Sequence, residues 1–133
     1  MNKQQVIQNM QNDLSKSPDL LKSCIAIFNY ICTQPVQNLQ HITFGALSRA
    51  ADLKNIEDVI PASRYLIGVP LLTARFEFID DNFIEDVSVE LVSQARREGV
   101  FYHPEKGEIV YDFESKLFMY FTLSQEWKNL HNE

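Results

Sequence analysis

The sequence predicts one α+β domain, helical in its first half and β-rich in its second, on three observations. Between Pro18 and Thr33, the apolar residues Leu20, Leu21, Cys24, Ile25, Ile27, Phe28 and Ile31 lie nearly all round a helix, and such a helix belongs at the centre of a domain. A compact helix-turn-helix pattern follows at residues 45–51 and 56–67, with the turn at 52–55. Beyond residue 72 the apolar period shortens to two in residues 73–79, and Leu117–Leu123 is the most hydrophobic β-like run. A chain of 133 residues suits a single domain over 1–133. At that length it buries about two thirds of its unfolded surface and needs no covalent staple.

The elements follow in order. Val6, Ile7, Met10 and Leu14 share one face of a short amphipathic helix over 3–15. Ser17 as N-cap and Pro18 at N1 start the central helix, which Gln34 and Pro35 end. Residues 41–44 form a short β-capable stretch. In the helix-turn-helix, Leu47, Ala50, Ala51 and Leu53 face Ile56, Val59, Ile60 and Leu66, with Pro61 kinking the second helix and Gly68 as its C′ residue. Residues 73–79 read as a half-buried strand, residues 80–82 as a turn and residues 80–86 as a solvated acidic loop. Ser88 caps a helix that Gly99 stops, with Arg96 and Arg97 in its last turn. Segments 100–102 and 108–111 flank a hairpin turn in which Pro104 and Gly107 fit type I. A polar tail anchored by Trp127 closes the chain.

Cys24 and Cys32 stand eight residues apart on one helix, about 12 Å along its axis, too far for a disulfide. Two small buried hydrophobes in a reduced, cytoplasmic setting are expected. The N-terminus has no signal-peptide core, and no apolar run approaches the ~20 residues of a membrane span. The net charge of −6 is uneven: residues 81–115 hold nine acidic and three basic side chains. This argues against nucleic-acid or anionic-membrane affinity, both of which need a basic face.

The order of helix 20–31, strand 41–44, helix-turn-helix 46–67 and strand 73–79 resembles the winged helix-turn-helix superfamily. The resemblance spans about residues 19–80, and residues 91–123 repeat the recognition-helix-and-wing end of the pattern, so two segments compete for the wing. It implies a winged-helix-like domain with an N-terminal helical extension, whose second helix would enter a DNA major groove. Glu57 and Asp58 stand at the first turn of that helix, where a phosphate binder wants cations. Arg49, Lys54 and Arg64, with Arg96 and Arg97 further on, are the candidate backbone contacts, and a dimer would have to supply the missing charge.

No catalytic or metal-site motif is found, and no cofactor is expected. The histidines at 41, 103 and 131 lack Cys or His neighbours at ligand spacing, and His103 before Pro104 reads as turn chemistry. With four glycines there is no phosphate-cradling loop, and a thiol on the most apolar helix is inert. The expectation is therefore a non-enzymatic protein-interaction module, an adaptor or regulator acting alone or as a homodimer. Its contacts would be Asp80, Asp81, Glu85 and Asp86 in the acidic segment, and Phe118 and Tyr120 in the aromatic strand. The alternative is a dimeric DNA-binding transcriptional regulator using Arg49, Lys54 and Arg64.

Overall fold

The computed structural model describes residues 2–131, the side chains of Leu130 and His131 excepted, so the histidine at 131 lies outside the described side chains. The chain is a mixed α+β structure. In order its elements are α1 Lys3–Asp13, α2 Pro18–Thr33, α3 Phe44–Ala50, α4 Val59–Gly68, β1 Leu72–Asp80, β2 Phe83–Val87, α5 Val89–Glu98, β3 Leu117–Leu123 and α6 Gln125–His131. The strands form one sheet in the order β2-β1-β3. The residues gather into two compact units: Met1–Thr73 with Phe121–Glu133, and Ala74–Tyr120.

In the first unit α2 is the central helix that its apolar circumference predicts. Cys24, Ile27, Phe28 and Ile31 are fully buried, as are Leu47 of α3 and Val59, Ala62 and Leu66 of α4. At the N-terminus α1 is closed by a capping box: Gln5 N donates to Asn2 Oδ1 and Asn2 N to Gln5 Oε1, each at 2.9 Å. Tyr65 Oη of α4 donates to Asp13 Oδ2 of α1 at 2.7 Å. The C-terminal segment is bound in. Trp127 is wholly buried with its ring 4.8 Å from that of Phe28, its N–H donates to Ser124 Oγ, and that hydroxyl donates to the Pro70 carbonyl.

Five local expectations differ from the structure. The strand at 41–44 is a single bridge, Ile42 with Phe121, because Thr43 Oγ1 accepts from Ala46 N and so starts α3 at Phe44. The helix after the turn begins only at Val59, and Ile56–Asp58 is a 3₁₀ turn. Pro61 therefore sits in a first helical turn, where no intrahelical bond needs its missing N–H, so it gives no reason for a kink. Ile56 and Ile60, expected in the core, are exposed. Gly68 is not a left-handed cap: it belongs to α4, its φ is not positive, and Val69 caps the helix.

In the second unit, β1 and β2 form a two-residue hairpin with Phe78 opposite Glu85, Ile79 opposite Ile84 and Asp80 opposite Phe83. Residues 83–87 thus correct the acidic-loop reading. Phe83 and Val87 turn inward on alternate positions onto a core of Phe76, Phe78, Phe101, Val110, Phe113 and Leu117. Val92 and Ala95 of α5 complete that core. Ser88 Oγ caps α5 by accepting from Leu91 N at 3.0 Å, and Gly99, at φ 74°, ends it. The segments around residue 105 make one bridge, Tyr102 with Ile109, rather than paired strands. Their turn is one residue longer than type I: Gly107 N donates to the His103 carbonyl at 2.9 Å, and Gly107 has φ 70°.

Candidate functional site

The sheet of the second unit has an inner face on the core and an outer face made by the alternate residues. Phe76, Phe78, Phe83, Val87, Leu117 and Met119 pack inward. Period two then puts Arg75, Glu77 and Ile79 of β1, Ile84 and Asp86 of β2, and Phe118 and Tyr120 of β3 outward. Glu77 lies opposite Asp86 and Ile79 opposite Ile84. Tyr120 Oη donates to Asp86 Oδ1 at 2.9 Å, reaching across β1. Lys116 Nζ stands 3.1 Å from Asp80 Oδ1, which brings the start of β3 beside the end of β1. β1 starts at Leu72, β3 ends at Leu123, and Ser124 N donates to the Leu71 carbonyl at 3.0 Å, a register that sets Phe118 opposite Glu77 and diagonal to Ile79. The face therefore carries the apolar pair Ile84–Ile79 with Phe118 on its diagonal, beside the pair Asp86–Glu77.

Ile84 is 61% and Phe118 49% exposed, and Ile79 is half-buried. Asp81, at the hairpin tip with φ 53°, and Glu85 on β2 are also exposed and crowd the same end with carboxylates. Of the six residues that sequence reading selects, the structure brings Asp80, Asp81, Glu85 and Asp86 onto one hairpin. It does not leave them equivalent. Asp80 is ion-paired with Lys116, and Asp86 accepts the Tyr120 hydroxyl. Tyr120 is only 5% exposed, so it offers little surface to a partner. Its phenol is pushed up by burial, then by the hydrogen bond to Asp86 and the charge beside it. Ile79 and Ile84 escaped sequence reading. The alternation of residues 83–87 was the available signal, hidden by two adjacent carboxylates.

The candidate DNA contacts do not form a comparable site. Arg49, Lys54 and Arg64 are exposed at the end of α3, in the turn and in mid-α4. Arg49 folds back along its helix, with Nη1 3.4 Å from where a Cβ on Gly45 would lie. The groove between α2 and the start of α4 holds Asp19, Asp52, Glu57 and Asp58 against the single cation Lys22. Arg96 is engaged by Glu114 through two bonds of 2.8 and 3.2 Å.

His103 is built into its turn. Its Nδ1 accepts from Glu105 N and Lys106 N, both at 3.1 Å, and its ring packs on Phe83 and Phe78. Burial pushes the Cys24 thiol up to about 11 and raises that of Cys32. Neither forms a disulfide. Among the described residues no three of His, Cys, Asp and Glu stand together as a metal site, and no helix is long and apolar enough to cross a membrane.

Fold and face together define a small mixed α+β protein that presents an apolar patch beside carboxylates on a sheet face. No family model, curated protein or solved structure matches the chain.

Proposed function

We propose that this chain is a non-enzymatic protein-interaction module on a winged-helix-like scaffold, and that the outer sheet face of residues 74–120 is its contact surface. The observation that carries the reading is the apolar patch of Ile84, Ile79 and Phe118. Single exposed apolar side chains are ordinary, but exposed Ile84 and Phe118 with half-buried Ile79 between them, on one face of three strands, form a patch. The chain order supports the scaffold: α2, the Ile42 bridge, α3, turn, α4 and β1 follow one another as the resemblance requires, and Ile42 is tied to Phe121 of β3. Residues 81–116 follow β1 in chain order as a wing would, enlarged by β2 and α5. Charge supports a protein partner over a duplex. Residues 74–120 hold eleven acidic and five basic side chains, and the rest of the chain holds seven of each, so the whole formal charge of −6 lies on the unit bearing the face. Such a surface repels phosphate and steers basic proteins.

The test is affinity capture with the intact protein from extract of the cells that make it, comparing wild type with Ile84→Ser/Phe118→Ser. The reading expects proteins retained by wild type and lost from the variant. Equal retention by both would overturn the face. Retention of random duplex in a low-salt gel shift, falling steeply with salt, would return the DNA-binding reading through Arg49, Lys54 and Arg64. Light scattering of wild type and variant separates a second copy of the chain from a foreign partner.

A further inference from the structure

The hairpin geometry assigns more than a face. Because β2 lies at the end of the sheet, one of its sides has no strand beside it. Which backbone groups point that way follows from the register. In a two-residue hairpin the closing pair, Asp80 with Phe83, must exchange both of its backbone bonds, since the alternative pattern would need bonds between adjacent turn residues. Alternation then makes Phe78–Glu85 and Phe76–Val87 the bonded pairs, and Ile79–Ile84 and Glu77–Asp86 the unbonded ones. The N–H and C=O groups of Ile84 and Asp86 therefore face away from β1. No other backbone segment among the described residues bonds to them. Both residues are exposed, and their side chains stand on the outer face. The free main-chain groups and the contact surface proposed above thus belong to the same two residues.

We infer that β2 is a docking edge for an extended basic segment of a partner protein, which adds to the sheet as a fourth strand. This rests on the reading of the face as an interaction surface and specifies how the partner engages it. Main-chain bonds to Ile84 and Asp86 hold the added strand, and its alternate side chains read the face. The side-chain pattern is fixed by what lies opposite. Asp86 calls for Arg or Lys, Glu85 for a second cation, and Ile84 for an aliphatic or aromatic side chain that extends the Ile84–Ile79 pair. Running antiparallel to β2, the partner reads basic, basic, apolar. The acidic excess of the unit selects the same chemistry at longer range, and it also discourages two copies of this edge from pairing with each other.

The probe is a blocked peptide of sequence valine-arginine-lysine-isoleucine-valine, titrated into the full-length protein and followed by amide NMR. Expected are shifts centred on the amides of residues 83–87 and slowed exchange at Ile84 and Asp86. A peptide N-methylated at the two positions that face those residues should bind about tenfold more weakly, the loss expected for two backbone bonds. A peptide with glutamate in place of its cations should not bind. Ile84→Pro removes an outward N–H, a substitution edge strands accept, together with the isoleucine side chain, and Ile84→Ser, which removes the side chain alone, should keep part of the binding. Ile84→Pro should abolish peptide binding while the amide spectrum outside β2 stays in place. Shifts that spare residues 83–87, or equal affinity for the N-methylated peptide, would overturn strand addition. Extract capture separates the two failures: a partner lost from Phe118→Ser but kept by Ile84→Pro leaves the face standing and removes the edge, and a partner kept by both removes the face as well.

Discussion

Cys24 shows how a single buried side chain couples the fold to pH. It is wholly buried on the central helix, and desolvation of the thiolate raises its pKa from 9.0 to about 11. The unfolded chain therefore releases this proton first, near pH 9, while the folded chain holds it to about pH 11. The contribution is intact below pH 9 and is lost as the pH rises through that window, about 3 kcal/mol in all. Urea unfolding at pH 8 and pH 10.5 should show a smaller loss of stability in Cys24→Ala than in wild type. The same burial makes the thiol slow to react. At pH 8 only about 0.1% of it is thiolate, so a disulfide reagent should label the half-buried Cys32 first and reach Cys24 only on unfolding.

At the scale of the element, two glycines distinguish what sequence can specify from what packing decides. Gly99 holds φ 74° and closes α5, and alanine there would enter the left-handed region at a cost of about 1 kcal/mol. Gly68 reads as the same kind of cap, yet it lies within α4 without a positive φ, and a Cβ there would touch nothing within 4 Å. Gly68→Ala should therefore raise stability by about 0.5–1 kcal/mol while Gly99→Ala lowers it, a divergence thermal melts detect directly. The same contrast runs through the chain. The bounds of α2, β3 and α5 were legible because Pro18, Ser88, Gly99 and unbroken apolar periodicity act locally. The start of α4 was not: Ile56 and Ile60 carry the right spacing but stay exposed, and only packing around Val59 chooses the helical register. β2 was hidden because only Phe83 and Val87 need be apolar when β1 lies alongside, so Glu85 and Asp86 could stand between them. Of the candidate site, the acidic residues were legible by charge. The apolar patch was not, because Ile79, Ile84 and Phe118 share a face only once three strands are side by side.

The whole molecule adds two arguments that no element contains. The first concerns its ends. The unit that opens the chain takes Phe121, Leu123 and Trp127 from its last residues, each almost fully buried. Losing large core side chains costs about 3 kcal/mol apiece, against a total of about 5–15 kcal/mol for a folded domain. A chain ending at Tyr120 should therefore show no cooperative helical melt by circular dichroism. The second concerns charge. Residues 74–120 hold the full −6 while the remainder is neutral, so mutual repulsion is confined to one unit. Screening shrinks the range of that repulsion from about 30 Å at 0.01 M salt to about 3 Å at 1 M. Salt also weakens Arg96–Glu114, a roughly half-exposed pair, but such pairs contribute only about 0–1 kcal/mol. The repulsion of six surplus carboxylates therefore decides the sign. Sodium chloride should slow amide exchange at Phe78 and Phe101 and leave Ile27 and Leu66 nearly unchanged. Equal slowing in both sets would mean that salt acts on general burial, and that the uneven charge exerts no measurable strain on the unit that carries it.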